Sequence, residues 1–149
     1  MKEQDLAGLL RDIFATEKVA VLATSAEGQP YGSLVAFAAT GDLEQLLFAT
    51  DRSTRKYVNL LNDPRVSLVI DNRREMKSGL SNALAVGAVG KAEELKGSDQ
   101  EGMTEIYVSR HPYLADFVRS HEVAFFTVRV EYYVVSSFAQ GVRLEMPLR

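Results

Sequence analysis

The chain has 149 residues, 46% of them hydrophobic and 25% charged, with a formal net charge of −3. That length suits a single domain spanning 1–149, and the absence of Cys excludes a disulfide framework, a thiolate nucleophile and a thiolate-bound metal or cluster. Two histidines, His111 and His121, argue against an all-protein transition-metal site, and the acidic balance argues against a nucleic-acid partner.

Met1-Lys2-Glu3-Gln4-Asp5 is acidic and runs into a helical pattern, not a basic leader, so the expectation is a cytoplasmic protein without a signal peptide. Leu6, Leu9, Leu10, Ile13 and Phe14 form one apolar stripe at i, i+3, i+4, i+7 and i+8, which predicts a short amphipathic helix. Lys18 to Thr24 suits a buried strand, Ala26 to Pro30 a turn, Tyr31 to Ala39 a second strand, Thr40-Gly41-Asp42 a tight turn and Gln45 to Thr50 a third strand. Turns this short connect only antiparallel neighbours. Thr54 to Leu61 predicts a helix stopped by Asn62-Asp63-Pro64, because the residue before Pro disfavours the α region.

Arg65 to Asp71 follows as a strand, and Asn72 to Ser81 as a polar, basic loop, the best candidate for mobility and, through Arg73, Arg74 and Lys77, for a lid over an anionic ligand. Asn82 to Leu95 is a long strand whose Gly87 and Gly90 predict a bulge or a close backbone approach. Asp99 to Arg110 and Pro112 to Ser120 read as two helices broken at His111-Pro112. Val123 to Val130 and Tyr132 to Phe138 read as two strands, with Val142 to Met146 extending the sheet. The sum is a mainly β protein of six or seven strands and three or four short helices, and an antiparallel barrel is its natural architecture because closure removes edge strands. No apolar run approaches the roughly 20 residues of a membrane span.

The chemistry concentrates in Thr50-Asp51-Arg52-Ser53-Thr54-Arg55-Lys56. A strand ends there and a helix begins, offering free backbone N–H groups, the positive end of a helix dipole, several hydroxyls and three cations. Ser53 or Thr54 can cap the helix, Arg55 can grip an anionic oxygen with two N–H groups, and Lys56 adds a point charge. Two readings of this stretch stand side by side: a phosphate site, or a capped helix whose cations are solvated. Elsewhere His111 reads as a cap or interface residue at the helix break, with a ligand-facing role as its alternative. His121 reads as structural, and of Tyr132 and Tyr133 one should face the core. Ser25 and Ser33 lack a His–Asp partner pattern, which argues against a serine hydrolase.

The same residues carry a resemblance. Thr50 to Leu60 followed by Asn62-Asp63-Pro64-Arg65-Val66-Ser67-Leu68, with Gly28 to Val35 before and Ala85 to Glu93 after, resembles the pyridoxamine 5′-phosphate oxidase-like family over nearly the whole chain. The resemblance implies an antiparallel split β-barrel and a homodimer holding FMN at the subunit interface. It implies phosphate ligands at Thr50, Ser53, Thr54, Arg55 and Lys56, and a flavin ring edge held by the backbone of Ser33, Leu34, Val35 and Ala36. It also implies oxidoreductase chemistry on a small molecule, with Phe138 or Tyr31 available to stack on the ring.

Three departures argue against vitamin B6 oxidation itself: no cation on Tyr31 to Ala38, Ala85 where those oxidases have Gln, and Arg143-Leu144-Glu145 where they have Arg-Leu-His. Tyr107 to Pro112, Phe117, Phe125 to Val128 and Ser137 to Gly141 resemble the branch that includes haem-utilisation proteins. Those proteins draw haem contacts partly from an added C-terminal segment with His, and the expectation for this sequence, which ends at Arg149, is that no such segment contributes. A non-catalytic module for flavin, deazaflavin or haem is the alternative reading.

Overall fold

The computed structural model describes residues 3–77, 79–137, 139 and 143–148. Helix α1 (Glu3–Thr16) buries Leu6, Leu10, Ile13 and Phe14, four residues of the predicted stripe, and half-buries the fifth, Leu9. Strands β1 (Val19–Ala26) and β2 (Gln29–Ala39) form a hairpin whose two turn residues, Glu27 and Gly28, both have positive φ, 51° and 80°. A two-residue turn with positive φ at both positions matches the right-handed twist of the strands it joins. Strand β3 (Gln45–Asp51), α2 (Arg55–Asn62), β4 (Arg65–Asp71), β5 (Leu84–Glu94), α3 (Ser98–Arg110), α4 (Ala115–Arg119), β6 (Val123–Ser137) and β7 (Arg143–Pro147) follow.

All pairings are antiparallel in the order β3-β2-β1-β4-β5-β6-β7, and β6 returns to pair with β3. Six strands therefore close a barrel and β7 is added on the flank of β6. The predicted architecture is the observed one: a mainly β, split-barrel fold with four helices. Two of its details differ from the sequence reading. Residues 123–137 form one strand, not two, because Glu131, which interrupts the apolar pattern, is skipped in the register: Val89 pairs with Tyr132 and Gly90 with Val130. The second helix after His111 is shorter than its sequence suggests, a 3₁₀ turn at Pro112–Leu114 followed by α4.

The barrel interior holds Leu22, Phe37, Phe48, Leu68, Val86 and Val128 with the inner face of α1 against one end. A second cluster, Leu47, Tyr107, Val118 and Phe125, lies between the β2–β3–β6 wall and α3–α4. Among the described residues no helix is long and apolar enough to cross a membrane.

Candidate functional site

The stretch between β3 and α2 is wound tightly by its own side chains. The Asp51 carboxylate accepts from the Ser53 amide at 2.8 Å and the Ser53 hydroxyl at 2.6 Å. These bonds, the hydroxyl first, hold its pKa below the ordinary carboxylate value. Thr54 is the N-cap: its Oγ1 donates to the Asp51 carbonyl at 2.8 Å and accepts from the Tyr57 amide at 3.3 Å. The Thr50 and Thr54 hydroxyls lie 2.8 Å apart. Thr50, Ser53 and Thr54 are thus brought together at one corner, as the sequence predicts.

The three cations of this stretch separate into two kinds. Arg52 is a staple. It donates to Glu94 at 2.8 Å, to the Tyr57 hydroxyl at 3.0 Å and to the His121 carbonyl at 3.2 Å, tying the start of α2 to the end of β5 and the approach to β6. Arg55 is exposed and Lys56 half-buried, and neither has a carboxylate partner among the described residues. The Arg55 guanidinium lies over the ring of Tyr31 on β2, 5.9 Å from its centre. That contact brings the cations of α2 beside the strand predicted to hold a ring.

Strand β2 has two halves. Residues 29–36 pair with β1, and residues 37–39 pair with β3. Along the first half the side away from β1 has no strand partner among the described residues, and this gap between β2 and β3 is the split of the barrel. The Phe37 amide bonds the Lys18 carbonyl and the Thr40 amide bonds the Gln45 carbonyl. Backbone groups alternate along a strand, so Ser33 and Val35 turn their N–H and C=O toward β1, while Leu34 and Ala36 turn theirs toward the split. Side chains alternate as well: Leu34 is 69% exposed and Val35 buried. Ser33 Oγ is buried and has no hydrogen-bond partner among the described residues.

The remaining sequence candidates sit elsewhere. His111 is fully buried behind β2, with Nε2 2.7 Å from the Phe37 carbonyl and Nδ1 3.3 Å from the Tyr113 hydroxyl. Burial first, and then the nearby Arg110 and Lys18 charges, lower its pKa against the opposing Phe37 bond. His121 is exposed on the turn before β6. Tyr133 is the core member of its pair and donates to the Leu43 carbonyl at 2.7 Å. Two of the three cations of the basic loop are paired: Arg74 with the buried Glu17 at 3.0 Å and Arg73 with Asp71 at 3.3 Å, both on the rim of the barrel wall. Phe138 lies outside the described residues.

A cleft of about 460 Å³ lies away from the split between α1, α3 and the β2–β3 turn. Its Arg11 and Arg110 already donate to backbone carbonyls, of Gly41 and of Phe14 and Glu17. Sequence reasoning missed two structural partners of the site: Asn59, whose side chain donates to Thr24 at 3.1 Å and seats α2 on β1, and Tyr107. The i, i+4 spacing of Tyr107 and His111 was the available signal for the second.

The comparisons with known proteins agree with this geometry. The profile of the pyridoxamine 5′-phosphate oxidase family matches residues 6–134, most of the chain. No curated protein matches it in sequence. Among solved structures, a haem-binding protein from Mycobacterium smegmatis superposes with a TM-score of 0.82 at 20% identity, over 99% of this chain and 58% of that one. The haem storage protein HutZ from Vibrio cholerae gives 0.71 at 17% identity, over 83% and 89%. A FAD-binding protein from Mesorhizobium loti gives 0.65 at 20% identity, over 84% and 89%. This chain spans little more than half the length of the mycobacterial protein, and at these identities the likeness is one of fold. The profile match, spanning both the β3–α2 corner and the split, makes the chain a member of the pyridoxamine 5′-phosphate oxidase family.

Proposed function

We propose that this protein binds FMN in the split between β2 and β3, at the interface of a homodimer, and acts as an oxidoreductase on a small molecule. The observation that carries the reading is the juxtaposition at α2: two cations, Arg55 and Lys56, without carboxylate partners among the described residues, beside an edge of β2 with no strand partner among them. The phosphate falls to Arg55 and Lys56, with Thr50, Ser53 and Thr54 as hydroxyl and amide donors. The ring edge falls to Ser33–Ala36, and within that segment to the backbone of Leu34 and the amide of Ala36 on the side of the split, the Ala36 carbonyl already accepting from Tyr107. The buried, unpartnered hydroxyl of Ser33 supports a further polar group at this strand, since such a group is normally satisfied. FMN, when bound, supplies the hydride chemistry, and the protein holds and orients it.

The dimer is supported by the outer wall of the barrel. Leu34 pairs with Val21, and Val21 with Val69, so the three stand in one row on the same face. All three are exposed, Leu34 at 69%, and Val19 adds to them one step along β1. The haem-binding relatives support a second reading, a haem module, although His111 is bonded to backbone and buried. The test is the visible spectrum of the purified protein, followed by FMN titration of the apoprotein. The expected result is a flavin spectrum or saturable FMN binding. Arg55→Ala with Lys56→Ala should weaken that binding at least a hundredfold, because two charged hydrogen bonds of about 1.5 kcal/mol or more each are lost. A protein that ignores FMN overturns the proposal, and one that then takes up haem establishes the second reading.

A further inference from the structure

Helices α1 and α3 each turn one short face to the same hollow. Arg11, Phe14 and Ala15 stand at i, i+3 and i+4 on α1, and Ile106, Ser109 and Arg110 have the same spacing on α3, so each trio shares one side of its helix. Between them the end of β2 and the turn that follows it supply Ala38, Ala39 and Leu43. The cleft measures about 460 Å³, within the span of roughly 300–1,000 Å³ common to small-molecule sites. It is open because Ala15, Ala38 and Ala39 fill little of the space between the two helices.

Its chemistry is divided. Phe14, Ala38 and Leu43 are buried and Ile106 is 38% exposed, which makes floor and wall apolar. Among the described residues, the charged groups lining it are the guanidiniums of Arg11 and Arg110, and no carboxylate lines it. The Asp42 carboxylate, on the adjoining turn, accepts instead from the Thr40 hydroxyl at 2.6 Å and the Glu44 amide at 2.9 Å. Neither arginine has a carboxylate partner among the described residues. Each spends one nitrogen on the backbone. Arg11 Nη2 donates to the Gly41 carbonyl at 3.3 Å, and Arg110 Nη2 to the Phe14 and Glu17 carbonyls, both at 3.1 Å. Those bonds fix where the guanidiniums stand, and they leave Nε and Nη1 of both without a protein partner among the described residues.

We propose that this cleft is a second ligand site, for a small organic carboxylate with an apolar body. A guanidinium offers paired N–H donors that match the two oxygens of a carboxylate, and the apolar lining takes the body. A bare inorganic anion would leave that lining against water, and a neutral apolar molecule would leave two cations unmatched in a half-enclosed place. The cleft lies apart from the split, so the proposal does not rest on the FMN reading.

The probe is hydrocinnamate, titrated into the isotope-labelled full chain and followed by its amide chemical shifts. The expected result is saturable shifts centred on Ala15, Ala39, Gly41 and Ser109. Hydrocinnamamide, the neutral analogue, and inorganic phosphate should each bind at least tenfold more weakly. Arg11→Gln, at an exposed position, should raise the Kd for hydrocinnamate at least tenfold, because a charged hydrogen bond is lost. Ala15→Phe, also exposed, should abolish binding by filling the cleft, and where it does not fold, Arg11→Gln decides alone. Absence of saturable shifts, shifts centred outside the cleft, equal binding of the amide or of phosphate, or an unchanged Kd in Arg11→Gln each overturn the proposal. Saturating FMN should leave the hydrocinnamate Kd within twofold of its value without FMN, and competition between the two overturns the claim of a second site. If the parent ignores FMN, that assignment fails by itself and the hydrocinnamate titration still decides the cleft.

Discussion

Arg52 and Arg55 stand three residues apart and do different work. The first is spent on Glu94, Tyr57 and a carbonyl, and the second has an aromatic face beneath it and no carboxylate partner among the described residues. Which of three neighbouring cations is free for a ligand depends on where the end of β5 places Glu94, far away in sequence. At this scale the clearest test of the structure is His111. Its neutral form fits its surroundings, Nε2–H donating to Phe37 and Nδ1 accepting from Tyr113. Burial holds its pKa in the folded protein below that of the unfolded chain.

The sign follows from linkage. Above the unfolded value, near 6.5, both states are neutral and the contribution is complete. As pH falls below that value the unfolded chain takes up the proton first, and stability is lost down to the folded pKa. The loss approaches about 1.4 kcal/mol per pH unit within that window. His111→Gln keeps a donor for Phe37 and removes the titration. It should be less stable than the parent at pH 7.5, with the gap in melting temperature narrowing steadily as pH falls below 6.5. A gap independent of pH would refute this account.

Among the elements, β5 and β6 decide how the barrel closes. The bulge at Val89/Gly90 lets one strand of 15 residues serve β3 with its first half and β7 with its second. Gly90 is required there because a Cβ would run into the Arg129 carbonyl and the Val130 Cα. At Gly87 the same atom would meet only the Val134 carbonyl, at 3.9 Å. Gly90→Ala should therefore cost about 2–3 kcal/mol, in the range of overpacking, and Gly87→Ala much less. Urea unfolding midpoints compare them, and equal losses would contradict the bulge geometry. A bulge is legible in these two glycines, but not which of them carries it, since that depends on how the partner strand approaches. The continuity of β6 through Glu131 is illegible for the same reason: a skipped residue breaks the apolar pattern without breaking the strand.

For the whole molecule, the row Leu34–Val21–Val69 is apolar surface on a wall that faces outward from the core. Exposed apolar patches of this kind mark association surfaces. The chain weighs 16.5 kDa, and sedimentation velocity should give twice that mass for the parent. Val69→Arg, two strands away from the β2 edge, should return it to the monomer, because a charge would have to be buried against its own copy. A parent that sediments as a monomer would remove the interface from the proposed site.

The sequence by itself determined the element order, the antiparallel pairing of short-turn neighbours, the cap and cations at the start of α2, and the family. These rest on local chemistry, such as Gly and Pro in turns, an apolar period of two or 3.6, and a hydroxyl before a helix, and local chemistry is written in adjacent residues. Only the tertiary structure decided that Arg52, Arg73 and Arg74 are spent on ion pairs. It alone showed that just Leu34 and Ala36 of the predicted ring strand turn their backbones away from β1, and that the Tyr107 hydroxyl donates to the Ala36 carbonyl. Those facts depend on pairs such as Arg52–Glu94, Arg74–Glu17 and Tyr107–Ala36, separated by 42, 57 and 71 positions. Only closing the barrel brings such residues into contact, because no local pattern specifies which distant group a side chain will meet.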